Sequence, residues 1–173
     1  MSNMVYLICS LPSLTFGQSP PISIEEFHHD AKNQLSSKQY KKLEGVDLQK
    51  QNNQDAVENL KGVKSMLDDL HEDIAEIRLS KEQGKSPNLN RLPKSILGMN
   101  PLDREKAIMK WQWEELESIA SGQTFTFKQV LVYKLKLQIL TRLKSFNTKR
   151  GLEVLNSVVN PSKKAKENGG SKN

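Results

Sequence analysis

A heptad pattern of apolar residues in the middle of the chain constrains its fold more than any other feature. The apolar residues are spaced alternately three and four apart, which places them along one narrow stripe of an α-helix. They are Leu60, Val63, Leu67, Leu70, Ile74 and Ile77. We therefore predict a helix from Asp55 to Lys81 with one apolar seam. Because a lone helix cannot bury such a seam, its partner is either an antiparallel helix of the same chain or another subunit.

A second segment, from Thr126 to Phe146, is predicted to be a helix with two apolar sides. A narrow polar strip of Lys134, Gln138 and Thr141 separates the two sides. One side carries Leu131, Val132, Leu135, Ile139 and Leu143, and the other carries Val130, Tyr133, Leu137 and Leu140. A helix of this kind must be covered twice, so we expect it to be the central helix of a bundle, with its own chain on one side and a partner on the other.

Capping residues mark two short helices near the N-terminus. Ser23 and Glu26 form a capping box, which predicts a helix that runs to about Leu35. A second short helix is expected to follow Ser36 or Ser37, with Tyr40 and Leu43 inward, and to end at Gly45.

Another helix is predicted to begin after the cap Asn100, with Pro101 at its first position, and to end before Gly122. Its apolar face is predicted to contain Leu102, Ile108, Met109, Trp113, Leu116 and Ile119. Trp111 falls instead among Glu and Ser residues on the opposite face. An aromatic residue on a polar face favours a protein interface, and the alternative is a Trp that folds under a polar loop.

These patterns predict an all-α helical bundle that forms one domain over residues 1–160. A short N-terminal segment, Met4 to Cys9, is expected to be a strand or an extended strap, and polar linkers are expected near residues 46–54 and 84–99. A last helix is predicted between the cap Thr148 and Pro161, with Leu152, Leu155 and Val159 inward. Residues 161–173 are rich in Lys, Asn and Gly and are expected to form a disordered basic tail.

Cysteine content and the N-terminus bear on the cellular compartment. The single cysteine, Cys9, cannot form an internal disulfide, which fits a reducing compartment. The apolar run from Val5 to Leu14 is interrupted by Pro12, follows no basic residue and is too short to span a bilayer. We therefore expect neither a signal peptide nor a lipoprotein signal, and we expect a cytoplasmic protein.

The net charge of +6 arises in the C-terminal third. Residues 126–173 contain eleven Lys or Arg residues and two Glu residues. This excess favours an acidic protein, nucleic acid or anionic lipid as a partner, or else a solvated basic face. Aromatic residues are few, and the lysines are scattered around a helix that is apolar on two sides, so nucleic-acid binding is an alternative and not the main prediction.

No pattern in the chain predicts catalysis, a cofactor or a metal. His28 and His29 point to different sides of their helix, and His71 has no Cys or His near it in the sequence. The carboxylates between Asp68 and Glu76 are expected to form the exposed face of a charged helix, where catalytic pairing is not expected. The sequence contains neither a phosphate-binding glycine loop nor a nucleophile motif.

Two stretches resemble a small bacterial family encoded beside V-type ATPase genes and regarded as similar to the C subunit of those ATPases. The first, from Val5 to Phe27, reads VYLICSLPSLTFGQSPPISIEEF, with a Leu-Pro-Ser-Leu run, Phe-Gly, a Pro-Pro pair and Ser-x-Glu-Glu-Phe in the order of that family. The second, from Phe127 to Leu155, contains Tyr-x-Leu-Lys-Leu-Gln-Ile-Leu-x-Arg and the later Gly151. Family members are generally longer, and the heptad-bearing middle of this chain has no counterpart.

The resemblance implies a non-catalytic accessory or central-stalk component that couples the shaft to the membrane ring by protein contacts. The expected partners are other V-type ATPase subunits, and the expected location is cytoplasmic, peripheral to the inner membrane through the complex. The alternatives are a free helical adaptor that self-associates through the heptad seam and a basic nucleic-acid-binding protein. The residues predicted to form the protein interface are Trp111, Leu67, Leu70, Ile74, Tyr133, Lys134, Leu137 and Arg142.

Overall fold

The computed structural model describes residues 3–48, 61–122 and 124–146. Over these ranges the chain is all-α and contains no strand, which confirms the predicted fold class. The α-helices are α1 (Met4–Ser10), α2 (Ile24–Gln34), α3 (Ser37–Gly45), α4 (Lys61–Gln83), α5 (Pro101–Ala120) and α6 (Phe127–Ser145). One 3-10 helix, Lys94–Gly98, lies between α4 and α5.

Three helices begin where their capping residues predict. Ser23 caps α2, and its hydroxyl accepts the Glu26 N–H while the Glu26 carboxylate accepts the Ser23 N–H. Ser36 and Gln39 form the same reciprocal arrangement at α3. Asn100 caps α5, and its side-chain oxygen accepts the Asp103 N–H at 2.9 Å. These caps satisfy N–H groups that lack a partner within the first helical turn.

The extended segment predicted for Met4 to Cys9 is wrong, because these residues form α1. Leu7 is fully buried, and Met4 and Ile8 pack partly buried against the same cluster. Positions 4, 7 and 8 share one face of a helix, whereas alternate residues share one face of a strand. Burial of that face therefore outweighs the β-propensity of Val5, Tyr6 and Ile8.

The central position predicted for α6 is confirmed by its packing against α5, α2 and α1. Both of its apolar sides are covered, since its buried residues include Leu131, Leu135 and Ile139 from one side and Leu137 and Leu140 from the other. Burial of this many aliphatic side chains makes α6 the main contributor to the apolar core.

The predicted polar linker near residues 84–99 is in part a structured segment. Leu92 and Ile96 are buried and form a second, smaller apolar cluster with Leu70 and Ile108. The segment is held by Asp73 of α4, whose carboxylate accepts the backbone N–H groups of Asn90, Arg91 and Leu92 at 2.6, 2.9 and 2.8 Å. The loop therefore packs against both α4 and α5.

Several predictions fall outside the described residues. They are the start of the heptad helix at Asp55 with Leu60, the linker after Leu48, the last helix with Leu152, Leu155 and Val159, and the disordered tail at 161–173. Within the described part of the first linker, Val46 is buried.

Candidate protein-docking site

A groove runs between α4 and α6, with α5 beneath it. α4 and α6 both pack on α5, and the space between them encloses about 710 Å³. The floor is formed by Ile108, Met109 and Gln112 of α5. The sides are Leu70, His71, Ile74 and Arg78 from α4 and Gln138, Ile139, Thr141, Arg142 and Ser145 from α6, and Ile24, Asp47, Leu48 and Glu105 complete the lining.

The segment after α3 closes one end of the groove because α6 holds it by hydrogen bonds. The buried Lys134 ammonium donates to the carbonyls of Leu43 and Val46, both at 2.7 Å. One turn further along α6, the Gln138 side-chain oxygen accepts the Leu48 N–H at 3.3 Å. The polar strip predicted on α6 therefore anchors the chain at 43–48 and places Leu48 against the groove.

The groove is lined by both apolar and polar side chains, and its arginines, Arg78 and Arg142, are exposed. Ile74 and Leu48 are partly exposed there, above the buried Ile108 and Ile139. Arg142 forms an ion pair with Glu105, so these two rim charges neutralise each other. Arg78 is exposed, and no carboxylate of the described residues forms an ion pair with it. A cleft that combines apolar side chains with polar and charged groups can receive an amphipathic segment of another molecule.

Three of the predicted interface residues, Leu70, Ile74 and Arg142, line this groove. Leu70 is only 5% exposed, so its contribution is to shape the groove, whereas Ile74 and Arg142 offer accessible atoms.

Three other predicted interface residues are core residues in the structure. Leu67 is 4% exposed, Lys134 is 3% exposed and Leu137 is fully buried. A partner cannot reach side chains that the chain's own helices already cover, so the prediction that these residues form a contact surface needs correction. The physical reason is that α4 packs on α5 and that α6 packs on α5, α2 and α1, so the seam and both sides of α6 are covered within the same chain, which was the alternative for the seam.

Trp111 and Tyr133 also make internal contacts. Trp111 is partly buried and packs against both apolar clusters, the second of which contains Leu92 and Ile96 of the loop between α4 and α5. This is the alternative arrangement of a Trp under a polar loop. Tyr133 stacks on Phe27 with ring centroids 5.5 Å apart, and its hydroxyl donates to the Pro12 carbonyl at 2.8 Å. Burial raises the pKa of Tyr133 to about 12.

The burial of Asp73 was not predicted, because the sequence pattern groups this residue with the exposed carboxylates of α4. Asp73 is 1% exposed. Burial alone would raise its pKa, but three backbone N–H donors outweigh that effect and hold the pKa below its usual value. The signal was present in the spacing, because position 73 lies three residues after Leu70 and four before Ile77, on the buried side of the helix.

A second missed feature is the environment of Trp113. Its indole N–H donates to Glu117 at 2.9 Å, and the ammonium of Lys136 lies 4.6 Å from the ring centre and 3.0 Å from the same carboxylate. The hydrogen bond from Lys136 is the main cause that lowers the pKa of Glu117. Lys136 is thus engaged within the chain.

Neither a metal site nor a membrane-spanning helix is found among the described residues. In this part of the chain, no group of three or more His, Cys, Asp or Glu residues is placed to hold a metal ion. Over the same ranges, no helix combines the length and apolar character needed to cross a membrane.

Residues 83–166 match a family model described as "Protein of unknown function (DUF2764)". The match covers just under half of the chain, from the last residue of α4 through the loop, α5 and α6. The comparison with curated proteins found no match, and the comparison with solved structures found none.

Proposed function

We propose that this chain is a non-catalytic accessory or central-stalk component of a bacterial V-type ATPase, similar to the C subunit. It couples the shaft and the membrane ring through protein contacts, and the complex keeps it at the cytoplasmic side of the inner membrane. The groove between α4 and α6 receives an apolar segment of a neighbouring subunit. The groove is the observation that carries the proposal, because it combines a volume of about 710 Å³ with apolar side chains and charged groups that a partner segment can contact.

The packing of the two stretches that resemble the V-type ATPase-linked family also supports the proposal. They are more than a hundred residues apart in sequence but contact each other through the Tyr133 hydroxyl and the Pro12 carbonyl, and through the stacked rings of Tyr133 and Phe27. Because the two stretches contact each other, the residues that carry the resemblance belong to one packed unit and not to two isolated segments.

The groove is tested by filling it without disturbing the core. Thr141 is exposed at the rim, and its hydroxyl bonds only to the Leu137 carbonyl one turn back, so Thr141→Trp adds bulk to the groove at low cost to the fold. Ser118→Trp on exposed α5 surface is the matched control. Capture of a purified V-type ATPase complex by the tagged variants, with circular dichroism to verify folding, measures the effect.

We expect Thr141→Trp to weaken capture by about 2 kcal/mol, roughly thirtyfold, and Ser118→Trp to leave it unchanged. A second pair tests the apolar surface of the groove, with Ile74→Asp inside it and Leu79→Asp, 51% exposed on the same helix, as control. If Thr141→Trp and Ile74→Asp fold and capture the complex as well as the wild type does, the groove is not the contact site. No capture of the complex by the wild type would remove the ATPase assignment itself.

A further inference from the structure

A second concave surface lies at the C-terminal end of α6, and its lining residues differ from those of the groove. It encloses about 410 Å³ between the turn at Gly17 and the ends of α5 and α6. Its apolar lining is Phe16, Leu143 and Phe146, all partly buried, and its charged lining is Lys106 and Lys144, both exposed. We call this surface the basic niche.

The basic niche carries charge of one sign. Within the described residues no carboxylate lines it and none forms an ion pair with Lys106 or Lys144. The carbonyl end of α6 adds roughly half a negative charge nearby, which the full charges of the two lysines exceed. The niche is therefore complementary to an anion placed beside an apolar group.

One side of the niche is held in place before anything binds. The Phe16 ring contacts Trp113 edge to face, with centroids 5.6 Å apart. Gly17 has a φ of +83°, a conformation that favours glycine, and the next residue, Gln18, donates its N–H to the Thr15 carbonyl at 3.2 Å. A fixed wall lowers the entropy cost of binding.

We propose that the basic niche binds an acidic peptide segment of a partner protein, with an apolar side chain against Phe16, Leu143 and Phe146 and carboxylates against Lys106 and Lys144. This site is separate from the groove and does not depend on which complex contains the partner. It assigns a partner chemistry that the groove does not specify.

The charge of the chain itself argues against its own C-terminal residues as the occupant. Residues 161–173, the predicted basic tail, contain four Lys residues and one Glu residue, so this tail would be repelled by the two lysines of the niche. Nucleic acid is disfavoured because two lysines around a closed apolar concavity do not form a track along which many phosphates are neutralised.

The test selects peptides from a random dodecapeptide display library on the full chain and measures the binding of the most enriched peptide by fluorescence anisotropy. We expect enriched sequences that place two or more Asp or Glu residues next to Phe or Leu. The double variant Lys106→Glu with Lys144→Glu should lose at least about tenfold in affinity, and 0.5 M salt should weaken binding to the wild type. The control, Lys32→Glu with Lys41→Glu, makes the same change in net charge on exposed positions of α2 and α3 and should bind like the wild type.

Three outcomes would overturn the proposal. The first is enrichment of peptides without acidic residues, or no enrichment at all. The second is equal loss of affinity in both double variants, which would reflect net charge and not the niche. The third is a different occupant of the niche. A (dT)20 oligonucleotide that binds the wild type but not the double variant at Lys106 and Lys144 would indicate nucleic acid. A wild-type dimer in light-scattering measurements that is absent in this double variant would indicate a second copy of the chain.

Discussion

Replacing Asp73 by Asn tests whether one buried carboxylate fixes the loop between α4 and α5. One carboxylate oxygen accepts the Asn90 N–H, and the other accepts those of Arg91 and Leu92. An amide has one acceptor oxygen, so Asp73→Asn removes at least one of these hydrogen bonds and leaves an N–H facing an NH2 group. The remaining bonds lose the strength that the negative charge gives them. We expect a loss of about 2–3 kcal/mol in the free energy of unfolding.

Urea denaturation followed by circular dichroism measures this loss, and Asp68→Asn on the exposed side of α4 is the matched control. The control should change the unfolding free energy by less than about 0.5 kcal/mol. Hydrogen exchange should also become faster at the amides of residues 90–92 in Asp73→Asn. Equal stability of the two variants, with unchanged exchange at these amides, would refute the reasoning.

The same carboxylate predicts a pH dependence. The folded pKa of Asp73 is lowered from 3.8, so its stabilising contribution is complete above that value and is lost as the pH falls through the folded pKa. The difference in stability between wild type and Asp73→Asn should therefore be constant near neutral pH and shrink in acid below about pH 4.

Three further predictions concern other polar groups that are buried or form hydrogen bonds. Lys134→Met should lower stability by about 2–3 kcal/mol, because it leaves two carbonyls without their charged donor, and urea denaturation measures this. Ser23→Ala should lower stability by about 1 kcal/mol, because the Ser23 side chain accepts a capping hydrogen bond. Thr126→Val should change stability by less than about 0.5 kcal/mol, because the Thr126 hydroxyl makes no hydrogen bond in the described residues. In an ultraviolet titration, Tyr133 should stay protonated at pH 11, and its contribution to stability should fall as the pH rises from its ordinary pKa of 10.0 to its folded pKa of about 12.

Local signals predicted much of the fold. The caps Ser23, Ser36 and Asn100 depend on residues within three positions of one another, so the sequence alone locates the starts of α2, α3 and α5. The two-sided apolar pattern of α6 correctly predicted its central position, because a helix apolar on two sides has to be enclosed.

Features that depend on tertiary packing were harder to predict. The heptad spacing in α4 identified an apolar seam, but it could not show that Leu67 is buried within the chain. Leu102 was predicted to face inward and is 43% exposed, because the first turn of α5 lies at the edge of the bundle. The groove follows from the separation of α4 and α6, which no spacing within either helix determines.

The candidate site was predicted only in part, for the same reason. Ile74 and Arg142 line the groove, but Lys134 was placed at an interface when it anchors the end of α3. A lysine in a polar strip suggests an exposed charge, and only the carbonyls of Leu43 and Val46, about ninety residues away in sequence, give it a buried role.

The most direct test of the proposed function is affinity purification of the tagged chain from native membranes, with quantitative mass spectrometry of the captured proteins. The account predicts the large V-type ATPase subunits at a constant ratio to the bait, with that ratio lowered by Thr141→Trp and unaffected by Ser118→Trp. Recovery of the wild-type chain alone as a monomer, or with ATPase subunits no more abundant than in an untagged control, would contradict it.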